Sequence, residues 1–370
     1  MPNTILFYVS GHGYGHARRT AQVIRALLAR RPDVEIHVRS TAPQRIFAAL
    51  PAEHVSPTRI DAGMVEDDAL TINPSGTLLR LQELIGRRDE VVAEESAVVR
   101  SLRPGLMVTD VPFMAGDVAE AAGVPCVAVS NFTWDWIYEP LFSSDARYAG
   151  RYARLLPAIR GGYAKMQTAL RLPFGGLSDA LTRVIQVPLV AARSSLDRAT
   201  VLSRSRLDPA DPRPRVLIGM RGGLPESTVV AAAAEAGEFL FIVPEATAPP
   251  GRPPNLQAVP TGPGLDFTDL VSVADVVVSK LGYGTVAECI ANGTRMLWPR
   301  RWGFREDDVM IEQAPRYLPA QEISREEFSA GRWVGPLCEL MKLPPAREPM
   351  RVDGAEVCAE FLDHATGGAT

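Results

Sequence analysis

The chain has 370 residues, 46% apolar and 22% charged, which are ordinary globular proportions. At about 100–200 residues per domain, this length predicts two domains. The net charge of −4, with acidic and basic residues interspersed, excludes a nucleic-acid footprint, although local basic clusters such as Arg300, Arg301 and Arg305 can still serve a phosphate. Cys126, Cys289, Cys338 and Cys358 are far apart and form no C-x-x-C pair. That argues against zinc spacing or a disulfide framework and for reduced thiols in a cytoplasmic protein. The N-terminus lacks the basic segment and apolar length of a signal peptide. No apolar run reaches the roughly 20 residues that cross a bilayer, so peripheral membrane contact is the form left open.

In chain order, the apolar run 5–9 predicts a strand that gives way to Gly11, Gly13 and Gly15. A helical pattern follows over 17–30, with Ala21, Ile24, Leu27 and Leu28 on one face, then a strand at 34–38. One long helical stretch covers 78–102. Buried strands are expected at 106–109 and 126–129, with a helix at 112–122 between them. Residues 171–211, rich in Pro, Ser and Arg, read as the end of one domain and a connector. The pattern then restarts with a strand at 216–220 and Arg221-Gly222-Gly223. Pro225 suits the first position of an alanine-rich helix. Strands follow at 239–243, 256–259 and 276–279, then Gly282-Tyr283-Gly284-Thr285 and a helix to 291. A strand at 296–298 and a C-terminal helix at 354–364 complete the series. Strand, glycine turn, helix, strand, met twice, predicts an α/β protein of two doubly wound, Rossmann-like domains facing across a cleft. The expected divisions are 1–190, a connector at 191–213, a second domain at 214–350, and a C-terminal helix and tail at 351–370.

Two segments carry a family resemblance. Ser10-Gly-His-Gly-Tyr-Gly-His16, with Arg18 or Arg19, resembles the first loop of GT-B glycosyltransferases. Residues 274–288, ADVVVSKLGYGTVAE, resemble their donor-site motif, which also occurs in the bacterial transferase that adds N-acetylglucosamine to the peptidoglycan lipid precursor. Residues 129–138 and 187–190 are similar to the glycosyltransferase-like N-terminal half of plant L-arabinokinases, and this likeness runs from about residue 5 to 333. No sugar-kinase phosphate loop accompanies it, so kinase activity is not expected. The resemblance implies the GT-B architecture and transfer of a sugar from a nucleoside-diphosphate sugar, UDP-linked by preference, to a small-molecule or glycan acceptor hydroxyl. It further implies inversion, with neither metal nor cofactor. A sugar-nucleotide hydrolase or epimerase on the same scaffold, and a non-catalytic sugar-nucleotide-binding protein, are the rival readings.

On the donor side, Gly282 and Gly284 let backbone N–H groups approach a ligand, and the helix expected to begin near Thr285 offers its N-terminus to a diphosphate. The resemblance gives Glu288 the ribose hydroxyls. Spacing alone offers an alternative, because Thr285-x-x-Glu288 is also a capping box. Ser279, Lys280 and Tyr283 flank the turn, and Lys280 can neutralise phosphate or be solvated. Arg221, Gly222 and Gly223 match a loop that lies against the diphosphate in the family, and a guanidinium fork suits phosphate oxygens. In Arg305-Glu306-Asp307, either acid can take the donor-sugar hydroxyls, or the run can be a solvated face.

Two histidines in one glycine loop, His12 and His16, are candidate bases for the acceptor hydroxyl, His16 preferred. The spacing G-x-G-x-G is not the dinucleotide fingerprint, so a nicotinamide enzyme is not expected. Asp110 ends a strand, where it can orient a histidine, act as base, or cap the following helix. Gly13, Tyr14, Asn131, Trp134, Asp135 and Tyr138 are acceptor candidates, since aromatic faces stack on sugars and Asn and Asp bind hydroxyls. Packing at the domain interface is the alternative for the aromatic residues.

Overall fold

The computed structural model describes residues 3–220, 224–262 and 264–367. The first half contains β1 (Thr4–Val9), α1 (Gly15–Arg30), β2 (Glu35–Arg39), β3 (Val55–Ser56), β4 (Glu66–Asp68), β5 (Thr71–Ile72), α2 (Pro74–Gly86), α3 (Arg88–Leu102), β6 (Leu106–Asp110), α4 (Met114–Ala122), β7 (Cys126–Ser130), α5 (Trp134–Ser143), α6 (Ala146–Ala164), β8 (Thr168–Arg171) and β9 (Val184–Gln186). Seven of these strands form one parallel sheet in the order β3-β2-β1-β6-β7-β8-β9. All six residues of β1 are buried, which is why the strand reads as an unbroken apolar run: helices cover both faces of the sheet.

The second half contains α7 (Arg198–Arg204), β10 (Arg215–Ile218), α8 (Glu226–Glu235), β11 (Leu240–Pro244), β12 (Leu256–Val259), α9 (Phe267–Val273), β13 (Val276–Val278), α10 (Tyr283–Asn292), β14 (Arg295–Pro299), α11 (Arg305–Gln313), β15 (Ala320–Ile323), α12 (Arg325–Ser329), α13 (Val334–Lys342) and α14 (Gly354–Ala365). Its parallel sheet runs β12-β11-β10-β13-β14-β15. In both sheets the chain order reverses beside the first strand, between β1 and β6 and between β10 and β13. A crevice opens at such a point outside the carboxyl ends of the strands. The glycine loop after β1, Asp110 at the end of β6, and the turn after β13 all lie there.

Two crossings tie the halves together. Helix α14 returns to the first domain along α1, where Arg30 Nε donates to Asp363 Oδ2 at 3.0 Å and Arg31 Nη1 to Thr366 Oγ1 at 2.9 Å. At the start of α14, a Cβ on Gly354 would lie 2.2 Å from the Pro188 carbonyl oxygen, so the crossing requires glycine. In the other direction, the β4–β5 hairpin reaches from the first domain to the second. Its Leu70 is buried in the second domain's apolar core, and Thr71 bridges to Trp302.

The structure departs from the sequence expectations at several points and adds unread elements, among them β3, β8, β15 and α6. The stretch 78–102 is two helices, parted at Arg87, which leaves helical geometry at φ −101°, ψ 13° directly after Gly86. The Pro-, Ser- and Arg-rich stretch adds β9 to the first sheet and holds α7. Pro225 is the residue before α8 rather than its first residue. Helix α10 begins at Tyr283 with Gly282 as its cap, two residues ahead of Thr285. The β4–β5 hairpin had no sequence signal strong enough to be read.

Candidate active site at the domain junction

On the first-domain side, Gly13 turns the loop after β1 with φ +68°, and α1 then places His16 in its first turn and Arg19 one turn on, on the same face. Both are buried, as is Asp110. His16 Nδ1 lies 2.9 Å from Asp110 Oδ1. Arg19 Nε donates to Asp110 Oδ2 at 2.6 Å, and Thr20 Oγ1 to the same oxygen at 3.1 Å. Burial alone would raise the Asp110 carboxyl, but Arg19 and His16 hold it down to about 2. Arg19 Nη2 donates to Asp110 Oδ1 and to Ser130 Oγ and also lies 2.9 Å from His16 Nδ1. With Nδ1 facing the Asp110 carboxylate, the tautomer protonated at Nδ1 leaves the Nε2 lone pair for a base. Helix α4 begins at Met114 without a side-chain cap, so Asp110 is not the helix cap that spacing allowed.

His12 is placed differently. Its ring is edge-on to Trp134 at 5.7 Å and tilted against Phe304 of the second domain at 6.2 Å, and its Nδ1 faces the Met64 amide at 3.4 Å. The Tyr14 ring lies beneath the Arg45 guanidinium at 6.0 Å.

On the second-domain side, Ser279 Oγ donates to the Gly219 carbonyl at 3.0 Å and links the ends of β13 and β10. Helix α10 has no side-chain cap, leaving its first N–H groups for another partner. A Cβ on Gly284 would sit 3.8 Å from Gly15 Cα, so the N-termini of α10 and α1 abut. Glu288 does not reach back to cap its helix, which removes the capping-box alternative. It is buried, its Oε1 accepts from Thr268 Oγ1 at 3.1 Å and from Arg18 Nη1 at 3.4 Å, and its Oε2 has no hydrogen-bond partner among the described residues. Burial pushes its carboxyl up to about 7, with Arg18 and Thr268 pulling the other way. Arg221, Gly222 and Gly223 lie outside the described residues.

Tyr283 is buried between the domains, with the Arg19 guanidinium 4.8 Å from its ring centre and its hydroxyl accepting from the Val190 amide at 3.3 Å. Neither Glu306 nor Asp307 is on a solvated face, because both are buried. Glu306 Oε1 accepts from Asn131 Nδ2 at 2.6 Å. Asp307 is held by Arg301 Nη2 at 2.6 Å and Nε at 3.1 Å, and burial leaves its carboxyl raised to about 6 despite that pairing. Arg305 donates to the Trp136 carbonyl at 3.1 Å and stacks 4.5 Å over that ring. Lys280 Nζ lies 3.3 Å from both oxygens of Glu66, and Arg301 Nη1 donates to Glu66 Oε1 at 3.0 Å. Burial and then Arg301 depress the Lys280 ammonium.

The aromatic stretch does not form an open acceptor wall. Trp134 and Tyr138 stack at 5.2 Å inside the first-domain core, and the Tyr138 hydroxyl donates to the Gly63 carbonyl at 2.7 Å. Asp135 is buried against Arg160, Nε at 3.4 Å. Helix α5 turns its apolar face inward, and only Trp136 of this group is partly exposed. Asn131, also buried, joins the polar network instead, accepting from Arg19 Nη1 at 2.5 Å. Sequence reading missed Asp61, whose carboxylate accepts from Ser10 Oγ and is raised by burial. It also missed Glu66 and Thr268. Each lies in a loop or short element with no motif, and only the fold brings it to the junction.

Residues 3–150 match the family model described as Glycosyl transferase family 1. The solved structure of the glycotransferase of kitacinnamycin shares 16% identity, covers 98% of both chains and superposes with a TM-score of 0.66. The chain has the GT-B fold of these glycosyltransferase structures. Another GT-B structure, a UDP-glucosyltransferase from Polygonum tinctorium capable of glucosylating indoxyl, covers 99% of this chain and 94% of its own at 15% identity, with a TM-score of 0.61. The L-arabinokinase of Arabidopsis thaliana is 29% identical over 367 residues, 98% of this GT-B chain and 34% of the relative. The chain thus spans about a third of the length of that curated relative. Among the described residues, no helix is long and apolar enough to cross a membrane.

Proposed function

We propose that the chain moves a glycosyl group from a nucleoside-diphosphate sugar, UDP-linked by preference, to the hydroxyl of a small-molecule or glycan acceptor, with inversion and without a metal. The observation that carries this reading is Glu288: a buried carboxylate with one unpartnered oxygen, in the second turn of a helix whose N-terminus is uncapped. A buried acceptor oxygen left unpaired costs about 1–3 kcal/mol, and ribose hydroxyls are the donors that would satisfy it. The free N–H groups of α10 and the nearby Lys280 supply positive potential for the diphosphate, the role a metal plays elsewhere.

The first-domain residues supply the proton chemistry. Nε2 of His16 takes the acceptor proton as the acceptor oxygen attacks the anomeric carbon and the bond to the diphosphate breaks. Asp110 fixes the ring and stabilises the imidazolium that forms. Attack from the face opposite the leaving group inverts the configuration. The positive end of α10 stabilises the diphosphate as its charge develops.

The test is titration with nucleoside diphosphates and their sugars, followed by assay of diphosphate release with and without candidate acceptors, in chelator and in Mg2+. Saturable binding lost in Glu288→Ala, and acceptor-dependent release indifferent to chelator, are the expected results. Release that is equally fast without any acceptor would assign the protein to hydrolysis instead, and binding without turnover to a non-catalytic role.

A further inference from the structure

We propose that Glu35, His37 and His54 form a binding site for a divalent transition-metal ion of the zinc class, separate from the junction between the domains. Glu35 opens β2 and His37 follows on the same face of the strand. His54 sits in the short turn directly ahead of β3. The group therefore lies at the edge of the first sheet, toward the amino ends of its strands, whereas the cleft lies outside their carboxyl ends.

The three side chains offer one carboxylate oxygen and two imidazole nitrogens, all within 4.8 Å of one another. His37 Nε2 is 2.9 Å and His54 Nε2 4.0 Å from Glu35 Oε1, and the two rings stack at 4.2 Å. A tetrahedral ion with ligands at about 2.0–2.2 Å holds its donor atoms roughly 3.3–3.6 Å apart, so small side-chain rotations complete the site with water as fourth ligand. Two nitrogens and one carboxylate oxygen suit zinc, cobalt and nickel better than magnesium or calcium.

The surroundings orient these groups as the outer shell of a metal site does. His54 Nδ1 donates to the Ile36 carbonyl at 3.0 Å, which leaves the lone pair on Nε2. Thr4 Oγ1 donates to Glu35 Oε2 at 3.2 Å and leaves Oε1 turned toward the two imidazoles. A bound ion would clamp the two-residue edge strand β3 to β2, whose strand pairing spans two residue pairs.

Tag-free, chelator-stripped protein should bind one Zn2+ per chain, raise its Tm on binding, and give the visible band of four-coordinate cobalt with Co2+. His37→Gln and His54→Gln should each weaken binding by about tenfold or more, and Thr4→Val by less. The two histidines are half-buried and sit in separate elements, the strand and the turn, so either variant suffices if the other folds poorly, and Tm without metal reports folding. No binding to the wild type at about 100 µM Zn2+, or wild-type affinity retained in both histidine variants, would overturn the site.

Discussion

Asn131 Nδ2 donates to Glu306 Oε1 at 2.6 Å and joins the residue after β7 to the first turn of α11 across the domain junction. Both side chains are buried, and Asn131 in turn receives Arg19 Nη1. In the proposed reaction, a donor-sugar hydroxyl competes with Asn131 for the Glu306 carboxylate. Glu306→Ala should therefore weaken a nucleoside-diphosphate sugar about tenfold while leaving the nucleoside diphosphate within about twofold. Calorimetric titration with the two ligands separates these outcomes, and equal weakening of both would place Glu306 outside the sugar pocket. Asn131→Ala, which strips partners from Arg19 and Glu306 together, should lower stability by about 1–3 kcal/mol in urea.

His16→Ala should lower turnover by about 100- to 10,000-fold with nucleotide affinity retained. Asp110→Asn should lose turnover as well, and it should also be less stable, because Arg19 then lacks its buried counter-charge. Asp110 titrates in the folded protein at about 2 against an ordinary 3.8. Its contribution is thus fully present above that ordinary value and is lost as pH falls through about 2. Acid unfolding of the wild type, but not of Asp110→Asn, should show this loss between those limits. Wild-type turnover in both single variants would remove the pair from the reaction.

Glu288 runs the opposite way. Its folded value is raised from 4.5 to about 7, so the folded state holds its proton more tightly than the unfolded one. Stability falls as pH rises through that window, by no more than about 3 kcal/mol. Glu288→Gln should then raise the Tm of the ligand-free protein at pH 8 and leave it nearly unchanged at pH 4. Nucleotide binding should weaken as pH drops below about 7, where the carboxylate that accepts the ribose hydroxyls takes a proton. A wild-type affinity flat from pH 5 to 8 would sink that assignment.

Arg301→Met isolates the partner of the buried Asp307. At pH 8 the loss should be about 3–5 kcal/mol, the usual consequence of stranding a buried charge. At pH 5 it should be smaller, since Asp307 has its folded value near 6 and is then largely neutral. Urea midpoints at the two pH values make the comparison, and an equal loss at both would mean that Arg301 acts through Glu66, 3.0 Å from its Nη1, or through packing on Phe304, 4.0 Å away, rather than through the Asp307 charge.

Strands β1, β2, β6 and β7 of the first sheet and β10 to β14 of the second were legible, unlike β3, β8, β9 and β15, because a parallel sheet covered on both faces leaves continuous apolar runs, as in β1, and because glycines mark the turns that follow them. The same local signals marked the loop that holds His16 and the turn before Glu288, since a helix N-terminus beside a strand end is written in consecutive residues. Partners far apart in sequence were not legible. That Asp110 meets His16 and Arg19 depends on β6 pairing beside β1. That Trp134 and Tyr138 turn into the core depends on which face of α5 the first domain covers. The sequence by itself determined the two doubly wound halves and the residue types at their switch points. Only the tertiary structure decided which oxygen of Glu288 lacks a partner, that Glu306 faces Asn131, and that Glu66 reaches Lys280 and Arg301. Those contacts follow from the docking of one domain on the other, and no periodicity within a single element encodes that geometry.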